Sequence, residues 1–349
     1  MRHIEKENYI CSLYNKNQRM IRYLSCFLFL LLVSIRWASA QDKITDIVPD
    51  TVLINGDTLV MLGDSLIIKE EVRPTFWKTG GNYNLSVQQV SLSNWAAGGA
   101  SSFALNTGVN LFANYKKNNK IWETSLSVNF GFNRQSDRSY KTRKTNDNFK
   151  FVSKYGRELA KGFYLSTQLE ARTQLLEGYK YFKESGSEIE SRNLISDFLS
   201  PGYVQSSTGL NYQKEKDGFK FSSILSPFTG RFTIVLNDSL SQAGAFGIIP
   251  GDKVKPEAGA SLGTSIDMKV MENINWKADL NLFSNYGKFG NMVVNFNSTI
   301  SMKVNKYIST RVETILIYDE NVFIEMDDGS KAQAIQLQNL INFGLGIDF

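Results

Sequence analysis

Residues 337–349 alternate. Leu337, Ile341, Phe343, Leu345, Ile347 and Phe349 fall on every second position with Asn339 as the one polar interruption, while Gln338, Leu340, Asn342, Gly344, Gly346 and Asp348 occupy the positions between them. Successive side chains of a strand point to opposite faces, so this run makes one apolar and one mostly polar side. The same period recurs upstream. Phe103, Leu105, Val109, Leu111, Ala113 and Tyr115 share a face, as do Trp122, Leu126, Val128, Phe130 and Phe132, and then Phe163, Leu165, Leu169, Ala171 and Leu175. Ala260 to Val270, Ile274 to Leu282, Met292 to Met302 and Ile308 to Leu316 repeat it, and residues 82–93, 148–157, 202–213 and 218–227 do so less regularly. Period two sustained over strand-length runs excludes a helical protein.

These runs amount to about twelve strands, and an even number returns both ends of an up-and-down barrel to one side. The connections alternate in length. Those near 116–120, 158–161, 214–217, 271–273 and 304–306 are short, whereas 134–147, 176–201, 228–256 and 320–333 are long. Short turns on one side and long loops on the other are expected of a transmembrane antiparallel β-barrel and not of a periplasmic sandwich. Aromatic residues flank the short turns, Tyr115 with Trp122, Tyr155 with Phe163 and Tyr212 with Phe219, as an interfacial girdle would. All six prolines are expected in the tail or at strand boundaries. The terminal run, with Phe343, Leu345, Ile347 and a final Phe349, resembles the assembly signal of Gram-negative outer-membrane barrels, which implies recognition by the barrel-assembly machinery.

The beginning of the chain carries the matching address. Arg22, the apolar stretch 23–35 and Ala38-Ser39-Ala40 read as a signal peptide, with residues 1–19 an upstream extension before a start at Met20. Residues 1–40 hold both cysteines, Cys11 and Cys26, the only histidine, His3, and six basic against two acidic residues. Of 39 basic and 34 acidic residues, 33 and 32 remain, a net charge of +1 that supplies no general attraction to nucleic acid. Residues 41–76 read as a periplasmic tail and 77–349 as the barrel.

A mature chain without histidine or cysteine offers neither the usual general base nor a zinc or thiol site, so no catalytic residue, metal or cofactor is expected. Gly63-Asp64-Ser65-Leu66 resembles the nucleophile motif of a lipolytic esterase family, but that chemistry needs a histidine. The outer-membrane phospholipases, lipid deacylases and omptin-like proteases use one as well. A hydrolase based on loop carboxylates (Glu177, Glu184, Glu188, Glu190, Asp197, Asp319, Glu320, Asp327, Asp328) ranks below simple solvation of those charges. Asn94-Trp95-Ala96-Ala97-Gly98-Gly99, after Trp77-Lys78-Thr79-Gly80-Gly81, resembles an uncharacterised Gram-negative outer-membrane barrel family with an Asn-Trp-x-x-Gly-Gly element after the first strand. The resemblance rests on Asn94, Trp95, Gly98 and Gly99 and implies location and architecture, with no activity attached.

Charges two apart lie on one side of a strand: Glu170 with Arg172, Asp267 with Lys269, Lys277 with Asp279, and Arg311 with Glu313. A midplane Arg or Lys facing lipid costs roughly 2–4 kcal/mol, so these eight are expected to line the lumen. Gly259, Ser261, Gly263 and Ser265 leave one wall small, which favours a narrow polar channel over a filled core. The alternative is a structural or assembly partner acting through loops and tail. Loop 134–147 is basic, with Arg134, Arg138, Lys141, Arg143 and Lys144 against Asp137 and Asp147, and suits lipopolysaccharide phosphates as well as plain solvation. Oligomeric state, solute and protein partners are not legible at this level.

Overall fold

The computed structural model describes residues 51–54, 57–62, 65–69, 76–91, 100–184, 189–288, 290–305, 307–325 and 330–349. The proposed signal peptide and the Asn94, Trp95, Gly98, Gly99 element lie outside the described residues. The chain divides into two compact units, Met1–Thr75 and Phe76–Phe349. In the first, β1 (Thr51–Ile54), β2 (Asp57–Leu62) and β3 (Ser65–Lys69) form an antiparallel meander.

The second unit is a closed twelve-stranded antiparallel barrel. Its strands are β4 (Trp77–Val90), β5 (Ser102–Lys117), β6 (Lys120–Gln135), β7 (Thr142–Ala160), β8 (Phe163–Thr173), β11 (Gly202–Lys216), β12 (Phe219–Ile234), β13 (Val254–Met271), β14 (Ile274–Asn285), β15 (Met292–Lys303), β16 (Ile308–Asp319) and β19 (Gln336–Asp348). Neighbours in sequence are neighbours in space, and β19 returns to β4. The short turns close tightly. Asp217 and Gly218, both at positive φ (47° and 79°), join β11 to β12 in the backbone handedness that matches strand twist.

The opposite connections carry their own structure. β9 (Gly178–Lys183) and β10 (Glu190–Ser196) form a hairpin between β8 and β11, β17 (Ile324–Glu325) pairs with β18 (Lys331–Ala332), and α1 (Asp238–Gln242) sits between β12 and β13. Asn237 caps α1 by accepting from the Ser239 and Leu240 amides. Val235, Leu240 and Ile248 form a small apolar cluster there with Leu194, Ala245 and Phe246 against it.

The polarity of the barrel is inverted relative to a water-soluble fold. Leu210 is 56% exposed on the outer face, whereas the next residue, Asn211, is fully buried inside. Ser166, Ser207, Glu170, Lys154 and Glu313 are buried on inward positions, and Leu165, Leu169, Leu225, Ile341 and Phe343 are exposed on outward ones. On the outer face beside the short turns, Trp77 stands 5.1 Å from Tyr115 and 5.7 Å from Trp122, and Phe163 stands 4.9 Å from Tyr212. Proline placement departs from expectation: Pro227 lies inside β12 and Pro256 inside β13. Pro227 is accommodated because the β12–β13 register shifts between Ser226 and Thr229, a bulge where no ladder donor is needed.

Candidate functional site in the lumen

The strand ends beside the long connections bring a charged network to the lumen. Arg231 on β12 donates to Asp319 on β16 at 2.8 Å, and its other terminal nitrogen lies 3.9 Å from Glu257 on β13. All three side chains are almost wholly buried. Lys255 approaches Glu257 at 3.4 Å, and Asn285 donates to it at 3.1 Å. Arg172 on β8 pairs with Glu170 at 2.9 Å and donates to Asn295 on β15 at 2.7 Å. Both guanidinium groups approach the Tyr203 ring, its centre 5.4 Å from Arg172 and 5.1 Å from Arg231, so each cation meets the electron-rich π system.

These contacts cross the barrel. In strand order β12 and β16 are four apart, and β8 and β15 are five apart in a ring of twelve. Deeper in, Lys154 on β7 pairs with Glu123 at 2.8 Å and donates to Ser222 on β12 at 2.9 Å, and Gln213 donates to Glu123 at 3.1 Å. Fixed charges of both signs are thus tied to one another across the barrel interior at two levels. Among the described residues no group of three or more His, Cys, Asp or Glu side chains is placed to hold a metal.

The eight lumen residues read from spacing all lie on inward positions of their strands, but their partners differ from i, i+2 pairing. Glu170 and Arg172 do pair along the strand. Asp267 instead meets Lys277 across the β13–β14 ladder at 3.3 Å, because register sets these two directly opposite. Lys269 and Asp279 are exposed on the same wall. Arg311 donates to Asn84 and Asn82, each at 3.2 Å, and Glu313 accepts from Asn297 at 3.4 Å. The small residues of β13 leave less space than their size suggests: Ser261 is buried with its hydroxyl 2.9 Å from Thr229, and a Cβ on Gly263 would stand 3.1 Å from Ile224. Arg231, Tyr203, Glu257 and Asn295 were not singled out by the sequence. Asp319, grouped there with solvated loop charges, is a buried strand-end ligand of Arg231.

Residues 87–179 match a family described as a protein of unknown function, DUF3078. That stretch runs from late β4 into β9. Comparison with curated proteins gives no match. Among solved structures, the chain is similar to an outer-membrane channel from Pseudomonas putida F1 at 11% identity and a TM-score of 0.36, with 83% of this chain and 100% of that one covered. It is similar to the NanC porin at 9% and 0.34, covering 76% and 100%, and to the translocator domain of the autotransporter NalP from Neisseria meningitidis at 7% and 0.33, covering 80% and 90%.

The basic loop within the matched stretch is drawn into a cap. Strands β6 and β7 extend to Gln135 and from Thr142, so the loop proper is short. Glu190 of the β9–β10 hairpin accepts from Arg143 at 2.5 Å and lies 3.4 Å from Arg138. Arg143 stacks 4.1 Å over Tyr181, and Arg192 lies 4.8 Å from Tyr140 and 4.0 Å from Tyr179. Lys144 bonds Asp147, Gln174 and the Leu176 carbonyl. Arg134 and Lys141 make no ion pair among the described residues. The hydrogen bond from Arg143 holds the Glu190 carboxyl below its ordinary range, with the Arg143 and Arg138 charges adding to it. Burial, then a hydrogen bond to Glu177, pushes the Tyr179 phenol up to about 12.

At the other end, the terminal run closes the barrel. Leu345, Gly346, Ile347 and Asp348 pair with Leu85, Asn84, Tyr83 and Asn82. Phe349 and Gly81 then exchange backbone hydrogen bonds at 2.8 and 3.0 Å. A Cβ on Gly81 would come within 3.0 Å of the Asn110 carbonyl, Leu111 and the Phe349 ring, so the close approach requires glycine.

Proposed function

We propose that this chain is an integral outer-membrane β-barrel that catalyses no reaction and passes small polar or ionic solutes through a narrow, charge-lined lumen. The reading rests on one observation: buried Arg231, Glu257 and Asp319, with Arg172 and Asn295, form a charged constriction inside a barrel whose outer face is apolar. Outward leucines and phenylalanines with an aromatic belt beside the short turns suit a bilayer, and fixed charges of both signs suit a selective filter. The wall at Lys269, Lys277 and Asp279, all exposed, with half-buried Asp267 beside them, supports a wetted vestibule on the short-turn side.

Single-channel recording of the refolded protein tests this. Arg231→Gln is expected to raise conductance and shift selectivity toward cations, since it removes a positive charge and a cross-lumen contact. A wild type and a variant that both fail to conduct would contradict the channel. A second reading, a structural or assembly partner working through its loops, draws on the ordered tyrosine and arginine cap. In either case lipopolysaccharide phosphates would meet chiefly Arg134 and Lys141, because Arg138, Arg143 and Lys144 already have acidic partners. Recognition by the barrel-assembly machinery would read Phe343, Leu345, Ile347 and Phe349 on the outer face of β19.

A further inference from the structure

One seam of the barrel is incomplete. Every other pair of neighbouring strands is joined by at least ten residue pairs, but β4 and β19 share four. Both strands continue past the last shared pair, Leu85 with Leu345. β4 stays paired to β5 as far as Val90, and β19 stays paired to β16 back to Gln336. Their facing edges therefore carry no ladder pair from Ser86 and Gly344 toward the long-loop side; at the break the Ser86 hydroxyl donates to the Phe343 carbonyl at 2.8 Å, and Gly344 lies so close to β4 that a Cβ there would meet the Leu85 carbonyl. Beyond the break, Gln338 of β19 donates across the interior to the Thr145 carbonyl of β7 at 3.3 Å.

Unpaired backbone groups at membrane depth are costly unless water or a polar ligand meets them, so a split here opens the lumen to the bilayer. Its two rims differ in chemistry. On the outer face Val87, Ile341 and Phe343 are exposed. On the inner face, at the base of the split, Arg311 reaches over β19 to the Asn82 and Asn84 amides, neutral partners, and no carboxylate reaches it at ion-pair distance among the described residues. Meanwhile the axial route beyond this level is crossed by the Arg231–Asp319 and Arg172–Asn295 contacts.

We propose that the β4–β19 seam is a lateral portal through which an anionic amphiphile passes between the lumen and the bilayer, its head group at Arg311 and its chain between Val87 and Phe343. A strand of another protein could also cover the free edges, but its backbone would supply no anion to Arg311, whose direct hydrogen-bond partners are the neutral Asn82 and Asn84. The inference rests on the membrane-barrel reading and extends the channel reading to a second exit.

The test uses the full chain refolded into phosphatidylethanolamine and phosphatidylglycerol vesicles, with fluorescent dodecanoate and fluorescent lysophosphatidic acid as carboxylate and phosphate probes. Oxidising the double variant Val87→Cys, Phe343→Cys should abolish transfer of the preferred probe, and reduction should restore it. Leu85→Cys with Leu345→Cys, below the split, should change nothing. Arg311→Gln should reduce transfer of both probes, and the probe that wild type moves faster identifies the head group. Axial ion conductance is recorded on the same samples and should survive the lock, which separates loss of the portal from failure of the channel. Transfer undiminished by the lock would overturn the portal. So would slow exchange of those alternate amides of residues 337–343 that face β4, as distinct from those bonded to β16, in the unlocked protein, whether from a zipped seam or from a second chain paired there.

Discussion

Arg231 gathers the charges of the lumen around one side chain. A buried guanidinium with one close and one longer carboxylate partner loses heavily when either is removed, because the remaining charge stays desolvated; such losses run about 3–5 kcal/mol. Asp319→Asn should therefore lower the unfolding midpoint of the barrel more than Asp267→Asn, whose partner Lys277 stands in water and contributes little. Urea titration of the two variants checks this; equal midpoints would mean that the Arg231 network is not buried. Glu190 gives a pH prediction in the cap. Its folded carboxyl is held below the ordinary range, so its contribution is complete above the unfolded value and disappears as pH falls through the folded one. Proteolysis of the β9–β10 hairpin should rise in acid below the usual glutamate range, and Glu190→Gln should cut fast at neutral pH and flatten the profile. A profile unchanged by the substitution would contradict the ion pair.

Strand β19 is the element on which closure depends. Phe349 and Gly81 exchange two backbone hydrogen bonds at the end of a seam with only four ladder pairs, so each contact there counts for more than in any other seam. Deleting Phe349, or introducing Gly81→Val, should impair assembly far more than shortening the β9–β10 hairpin, which lies outside the barrel; the folded fraction on an unheated gel measures this. Equal yields would show that closure does not depend on this contact. The same element explains what the sequence could and could not disclose. Alternation identified all twelve barrel strands because lipid-facing and lumen-facing positions differ in polarity at every step. It missed the strand ends of β7 and the hairpin β9–β10, where water meets both faces and no contrast is imposed. Arg231 escaped notice because the bulge at Ser226 to Thr229 reverses the phase, moving inward positions from even to odd numbers. Spacing placed Asp267 and Lys277 inside without disclosing that they pair, since register between strands is a long-range property.

At the scale of the whole molecule, the fold is a polar interior wrapped in an apolar exterior, the arrangement a bilayer stabilises and water does not. That inversion underlies the proposed location, the filter and the seam alike. The mature chain read from the sequence has no cysteine, so single cysteines introduced at 204–208 and 210–212 of β11, leaving out Gly209 where a side chain would meet the β12 backbone, can each carry one spin label in the vesicle-held protein. Collision with oxygen, which partitions into lipid, and with a water-soluble nickel chelate then reports the environment of each site. A strict period of two is expected, with 204, 206, 208, 210 and 212 reached by oxygen and 205, 207 and 211 not. Nickel reaching both sets equally would contradict a membrane-spanning barrel.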